Sequence, residues 1–444
     1  MKTIGKYIVQ GLLGAGGMGR VYKVRQPHTE QVVALKLLAP REEMVMLLGM
    51  DELSRRFLAE ARTMARLKHP NIARVWDLDF HQGAPFFTME LYCLNLGVLL
   101  GETYEDAQVR SLSIDTAVHV AAQTLEALGR LHHAGMVHRD VKPVNIMLTQ
   151  DIRVKLIDFG LSKLRGEVES APQGLKIGSP FFTAPEQERD PDNADHRADL
   201  FSVGLLLHRM LTGRLPDENA PPSTLNPALE PAWDDFLARA AHPDPDERFR
   251  SAEAMRCDLD RLDQAWSQAK QQACYLLEET EPKPTGDIPK PRSAPVKVLP
   301  GQAQAVFPVD ELWRPAEYAA NDFQERGETV ADLAAGLAWE RSGARYPANW
   351  AEAQARVDRL NQENFASAAN WRLPTIDELL TLFRSASMPG DFCLESPFDA
   401  AQARLWSADR KSFAAAWFAD ASQGYVAAHD MSCAFHSRAV RDLD

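Results

Sequence analysis

The sequence predicts an α+β protein: a strand-rich small lobe, a larger helical lobe and, past a proline-rich stretch, a second domain. Period-two alternation in V-Y-K-V-R (Val21 to Arg25) and V-V-A-L-K-L-L (Val32 to Leu38) marks strands of the small lobe. Helical spacing dominates from Ile114 onward. The prolines of E-P-K-P-T-G-D-I-P-K-P-R-S-A-P remove amide donors and favour extended backbone, which makes a semi-rigid linker.

Between about Leu53 and Lys68 the period changes. Phe57, Ala61, Met64 and Leu67 recur at helical spacing, an apolar stripe with Glu60 beside it. A further helical stripe starts at Ile114 and continues to Leu131. L-F-S-V-G-L-L-L (Leu200 to Leu207) is apolar nearly all round, so its helix belongs in a domain centre. These signals place the small lobe at about 1–91, the helical lobe at 92–268, the linker at 269–301 and the second domain at 302–444. That last stretch carries tryptophans at 313, 339, 350, 371, 406 and 417 and no tandem repeat.

A length of 444 residues exceeds one ordinary domain. Hydrophobic residues make up 45% and charged residues 25%, the balance of a soluble globular protein rather than a disordered one. The net charge of -13 gives no electrostatic reason to expect nucleic acid as a partner. Five cysteines (Cys93, Cys257, Cys274, Cys393, Cys433) lack C-x-x-C spacing, so neither a zinc knuckle nor a disulfide framework is implied. Reduced thiols, no signal-like start and no run of eighteen apolar residues lead to the expectation of a cytoplasmic protein without a membrane span.

Gly14 to Gly19 read G-A-G-G-M-G. Glycines let a backbone approach phosphates and aim its N–H groups at them. A dinucleotide-binding turn has the same pattern, but there a helix follows, and here the strand V-Y-K-V follows. Lys36 lies on the V-A-L-K strand and Glu60 on the inner face of the next helix; paired, they leave the ammonium aimed at the ATP α- and β-phosphates. His138 to Asn145 read H-R-D-V-K-P-V-N, and Asp158 to Gly160 read D-F-G. Asp140 is the candidate base for a substrate hydroxyl, and Lys142 the cation that neutralises the transferring phosphate. Asn145 and Asp158 are the candidate magnesium ligands. Phosphoryl transfer from ATP is largely positioning and charge neutralisation, and this set supplies both.

Over roughly Tyr7 to Leu262 these residues resemble the eukaryotic-like (Hanks-type) serine/threonine protein kinases of bacteria. H-P-N-I (His69 to Ile72), A-P-E (Ala184 to Glu186), D-L-F-S-V-G (Asp199 to Gly204) and D-P-D-E-R-F (Asp244 to Phe249) extend the match. The resemblance implies a bilobal kinase fold, use of ATP and magnesium, and transfer of the γ-phosphate to serine or threonine of protein substrates. It implies an ion pair between Glu186 and Arg248, and a catalytic-loop backbone held by Asp199. M-E-L-Y is similar to the adenine-binding hinge, with Met89 as gatekeeper and Glu90 and Tyr92 beside it. Leu13, Gly14, Gly16, Gly19, Val21, Ala34 and Met147 complete the implied nucleotide site, although core packing is an equal reading for Val21, Ala34 and Met147. Ser179 stands where the family usually has threonine, Ser170 is the obvious phosphate acceptor of the activation loop with a plain solvated loop serine as an equal reading, and Arg139 marks the subgroup that pairs with such a phosphate. After L-T-G-R-L-P (Leu211 to Pro216) the chain passes quickly to W-D-D-F-L-A-R-A, where relatives have a longer docking segment. A pseudokinase scaffold is the alternative, and a homodimer is left open.

Beyond the linker, W-A-E-A (Trp350 to Ala353), L-N-Q-E-N-F (Leu360 to Phe365), W-R-L-P-T-I-D-E-L (Trp371 to Leu379), L-W-S-A (Leu405 to Ala408) and R-A-V-R (Arg438 to Arg441) resemble the Lcl C-terminal domain family over about Glu328 to Leu443. That family is related in fold to C-type lectins and formylglycine-generating enzymes, which implies a C-type-lectin-like α+β domain that binds an unknown ligand or partner. Trp371, Leu373 and Leu379 are expected in its core. No cysteine pair supports formylglycine-type catalysis, and His429 and His436, seven apart, would share a face on a helix.

Overall fold

In the computed structural model, residues 2–102, 109–158, 163–164, 181–190, 193–217, 220–274, 290–384, 393–394, 397–398 and 402–443 are described. The chain divides into two compact units, Met1–Ser111 with Asp115–Gln272, and Ala273–Asp444 with Leu112–Ile114.

The first unit opens with an antiparallel sheet of β1 (Thr3–Ile4), β2 (Tyr7–Ala15), β3 (Gly19–Arg25), β4 (Val32–Leu38), β5 (Val75–His81) and β6 (Ala84–Glu90), in the order β1-β2-β3-β4-β6-β5. Gly19 serves this sheet directly, because a Cβ there would lie 2.6 Å from the Leu37 carbonyl oxygen of β4. Between β4 and β5 run α1 (Glu42–Leu48) and α2 (Met50–Arg66). Helix α2 buries Leu53, Phe57, Ala61 and Met64, the stripe read from the sequence, and each large apolar side chain among them contributes roughly 1.5–3 kcal/mol. Helix α1 was not foreseen; it buries no residue, so no apolar periodicity announces it.

The helical lobe follows: β7 (Leu94–Asn95), α3 (Leu96–Leu100), α4 (Ile114–His133), β8 (Met136–Val137), β9 (Ile146–Leu148), β10 (Val154–Leu156), β11 (Lys163–Leu164), α5 (Pro185–Arg189), α6 (Arg197–Thr212), α7 (Pro222–Leu225), α8 (Pro231–Ala240) and α9 (Ala252–Cys274). Every residue of α6 from Ala198 to Leu211 is buried, as its all-round apolar character requires. Its Gly204 lets α8 approach, since a Cβ there would meet that of Ala240 at 2.8 Å. Between Pro216 and Pro231 the described residues form only the single turn α7, which fits the shortened docking segment. The expected α+β bilobal architecture is the observed one.

The second unit has α10 (Pro300–Ala303), β12 (Phe323–Arg326), β13 (Thr329–Asp332), β14 (Leu337–Glu340), α11 (Trp350–Gln362), α12 (Ile376–Thr381), β15 (Arg404–Arg410), β16 (Ala415–Asp420), β17 (Tyr425–Asp430) and β18 (Val440–Asp442). They make a four-stranded sheet, β12-β13-β14-β18, and a three-stranded one, β15-β16-β17. Trp339, Leu379 and Trp417 lie in one apolar cluster. The W-R-L-P-T-I-D-E-L run is structural: Trp371, Leu373 and Leu379 are buried, Arg372 holds Glu378 through two 2.6 Å bonds, and Thr375 and Glu378 form a capping box on α12. Asn361 of the L-N-Q-E-N-F run brackets Trp371, accepting from its N–H at 2.7 Å and donating to its carbonyl at 2.8 Å.

Two expectations change. His429 sits on strand β17 rather than on a helix, so the seven-residue spacing puts no shared helical face between it and His436. Among the described residues no cluster of three or more His, Cys, Asp or Glu is arranged to hold a metal ion. Residues 290–301, read as linker, are built into the second unit: Arg292 bonds both oxygens of buried Asp409 at 3.0 Å, the Val296 N–H donates to Asp409 at 2.8 Å, and Val298 is buried in the cluster. Helix α9 runs past 268 to Cys274. No helix among the described residues is long and apolar enough to cross a membrane.

Candidate active site

Strand pairing sets the first wall of the site. Val21 of β3 lies opposite Lys36 of β4, and Ala34 lies opposite Met89 of β6, so Val21, Ala34, Lys36 and Met89 share one face of the sheet. Met89 and Ala34 are buried; Leu13 is exposed on β2. Gly16 closes the β2–β3 turn, its N–H donating to the Gly19 carbonyl at 2.9 Å. A side chain at Gly14 would meet nothing within 4 Å, so the backbone there is open to approach. At the end of β6, Glu90 is exposed and its carboxylate accepts from the Tyr92 hydroxyl at 3.1 Å. Burial and that carboxylate push the Tyr92 phenol up. Met147 lies on β9, half-buried, opposite Lys155.

The Lys36 ammonium reaches Glu60 of α2 at 2.8 Å and Asp158 at 2.7 Å. Burial pulls the ammonium pKa down, but the charges of Asp158 and Glu60 outweigh it and the net direction is up. Lys36 in turn holds the Asp158 carboxyl below its ordinary value against its burial. Both partners are therefore ionised at neutral pH.

The loop before β9 supplies the second wall. Asp140 Oδ2 accepts from Lys142 at 2.7 Å and from the Asn145 amide at 2.9 Å. Its Oδ1 is buried and has no hydrogen-bond partner among the described residues. The Asn145 amide also donates to the Asp140 carbonyl at 2.8 Å, which leaves the amide oxygen as the group turned to other donors or a cation. Arg139 and Asp158 hold left-handed φ values of 69° and 65°, a conformation that costs a non-glycine residue energy. Buried Asp199 of α6 secures the loop, accepting from the N–H of His138 at 2.9 Å and of Arg139 at 2.7 Å. Arg248 grips Glu186 with two bonds of 2.6 and 2.8 Å. Asp199 was anticipated in its role, and so was the Glu186–Arg248 pair.

Sequence reasoning missed the contribution of His132, whose Nε2 lies 2.8 Å from Asp199 Oδ2 at the end of α4. Nothing in a histidine at a helix end signals it. The Arg139 guanidinium donates to the Ala194 carbonyl at 2.9 Å. Phe159, Gly160, Ser170 and Ser179 lie outside the described residues.

A protein kinase domain family model matches residues 7–257, more than half of the chain. The chain belongs to the protein kinase family. The Lcl C-terminal domain family model matches residues 328–441. Among curated relatives, the chain is 35% identical to the serine/threonine-protein kinase pkn3 of Myxococcus xanthus, over 59% of this chain and 51% of that one. It is 37% identical to the serine/threonine-protein kinase PksC of Streptomyces coelicolor, over 58% of this chain and 49% of that one. It is 32% identical to the serine/threonine-protein kinase PknL of Mycobacterium tuberculosis, over 58% of this chain and 65% of that one. The chain thus spans about half the length of the first two kinases and 65% of the third.

Proposed function

We propose that this protein kinase transfers the γ-phosphate of ATP to serine or threonine hydroxyls of proteins, with magnesium, and that its second unit is a binding domain that starts near residue 290. The observation that carries the reading is the half-satisfied Asp140: one carboxylate oxygen is held by Lys142 and Asn145, and the other is buried without a partner among the described residues. A buried carboxylate oxygen left unpaired costs about 1–3 kcal/mol or more, which a substrate hydroxyl donating to it relieves. In this role Asp140 orients the hydroxyl and takes its proton as the new P–O bond forms and the bond to ADP breaks.

Lys36 binds the α- and β-phosphates, fixed by Glu60, and the open backbone at Gly14 and Gly16 lies against them. Lys142 neutralises charge on the phosphate in flight. The donor set fits magnesium, an ion that takes carboxylate and carbonyl oxygens: Asp158 offers a carboxylate and Asn145 an amide oxygen. When bound, magnesium neutralises and aligns the phosphates. Val21, Ala34, Met89 and Met147 enclose the adenine, and the backbone between Glu90 and Tyr92 bonds its edge.

Purified protein given labelled ATP and magnesium should label itself or a generic basic protein, and Asp140→Asn should abolish the labelling while ATP still binds. Equal labelling by the two proteins would rule Asp140 out as the base. Removal of the second unit should alter substrate choice more than ATP affinity.

A further inference from the structure

In the second unit Lys297 meets Arg410 at a backbone bridge beside Lys411, and Lys297 and Arg410 are both exposed. Among the described residues the side chains of these three form no ion pair and no hydrogen bond. Like charges placed opposite one another repel, and a chain of net charge -13 has carboxylates to spare elsewhere.

Apolar surface adjoins the cations. The Arg410 guanidinium lies 5.0 Å from the centre of the Trp350 ring, whose indole N–H is fixed on the Ser407 carbonyl at 2.8 Å. At the tip of the β15–β16 hairpin Phe413 is 90% exposed. The tip is ordered: the N–H groups of Lys411 and Ser412 both donate to the Ala415 carbonyl, at 2.9 and 3.0 Å, and the Ala414 N–H donates to the Ser412 hydroxyl at 3.1 Å. Met431 joins the two aromatics, its N–H bonded to the Ala414 carbonyl and its carbonyl to the Trp350 N–H, each at 2.9 Å. A hairpin tip held by its own backbone bonds presents Phe413 and the neighbouring cations with little backbone entropy to lose on binding.

We propose that this face docks an acidic peptide segment bearing apolar side chains, its carboxylates on Lys297, Arg410 and Lys411 and an apolar side chain against the exposed Phe413 ring. The proposal rests on the reading of the second unit as a binding domain and names what it binds. A nucleic acid fits less well, because three cations neutralise few phosphates and the surrounding net charge repels a polyanion.

The test uses the full chain and a fluorescein-labelled peptide alternating glutamate with leucine and phenylalanine, followed by anisotropy. Binding should weaken about tenfold with added salt or in the Arg410→Glu/Lys411→Glu variant, the size expected for loss of charge pairing. Phe413→Ser, a surface change that leaves the fold alone, should weaken it by a comparable factor, about the loss of one aromatic anchor. Unchanged affinity in both variants overturns the proposal. So does equal binding of a peptide with lysine in place of glutamate, tighter binding of oligothymidine, or self-association of the chain that Phe413→Ser abolishes. Labelling of a basic protein by ATP is read in parallel: labelling lost with docking intact strikes only the kinase reading, and docking lost with labelling intact strikes only this one.

Discussion

The Lys36 ammonium lies 2.8 Å from Glu60, joining strand β4 to helix α2, and the same nitrogen holds Asp158 at 2.7 Å. Glu60 is buried, and this cation offsets its charge. Lys36→Met therefore does two things. It removes the phosphate-binding cation, lowering phosphoryl transfer by about a thousandfold. It also takes the countercharge from buried Glu60, which costs about 3–5 kcal/mol by analogy with other broken buried pairs. Thermal melting beside a labelled-ATP assay checks both, and an inactive variant that melts like the parent would contradict the second.

Asp199 argues for a purely positional role. Its carboxylate, fully buried, accepts from two backbone N–H groups while Arg139 holds a left-handed φ. Burial pushes its pKa up, yet the His132 hydrogen bond and nearby charges prevail and hold it below its ordinary value. Asp199→Asn keeps the volume but loses one acceptor of the pair, so the loop around Asp140 loosens. The expected result is a fall in kcat of about a hundredfold, as for misplaced catalytic groups generally, with ATP affinity nearly unchanged. An equal loss in nucleotide binding would contradict it.

The legible parts of this molecule are those whose chemistry is local. Lys142 and Asn145 stand within five positions of Asp140, and the strand that carries Lys36 and the helix that carries Glu60 each declare themselves by period. Distant partnerships are silent in sequence. Arg292 sits in a proline-rich run that reads as linker, and its partners Asp377 and Asp409 are 85 and 117 residues away. Gly19 reads as a phosphate-loop glycine, but the approach of Leu37 from β4 already requires it. Helix α1 buries nothing, so no pattern gives it away.

Arg292 gives a prediction about boundaries. It bonds Asp377 at 2.7 Å and both oxygens of fully buried Asp409, while its carbonyl accepts from the Thr375 hydroxyl at 2.6 Å. Arg292→Ala leaves buried Asp409 its N–H donors from Val296 and Ile376 but removes its countercharge, and should destabilise the second unit by about 3–5 kcal/mol. A fragment that starts at 302 lacks this clasp and the buried Val298, and should fail to fold where one starting at 290 folds. Circular dichroism and melting of the two fragments decide it; indistinguishable melts would show the clasp to be dispensable.

Asp332 sets a pH dependence in the second unit. Its Oδ1 accepts from the N–H groups of Ala334 and Ala335 at 3.1 and 3.2 Å, whereas its Oδ2 is buried without a partner among the described residues. Burial pushes the carboxyl pKa up from its ordinary 3.8, and the backbone donors only partly offset this. The folded state thus takes up a proton at a higher pH than the unfolded chain does. Stability from this group is fully present below 3.8 and is lost as pH rises through the raised folded value. Asp332→Asn cannot titrate there, so the parent should gain on the variant as pH falls from 7 toward 4. The gain is roughly 1.4 kcal/mol for every tenfold by which the folded carboxyl holds its proton more tightly than the unfolded one. Thermal scans of both proteins across that range measure the difference. A gap between them that does not change with pH would mean that Asp332 finds its second partner in the folded state.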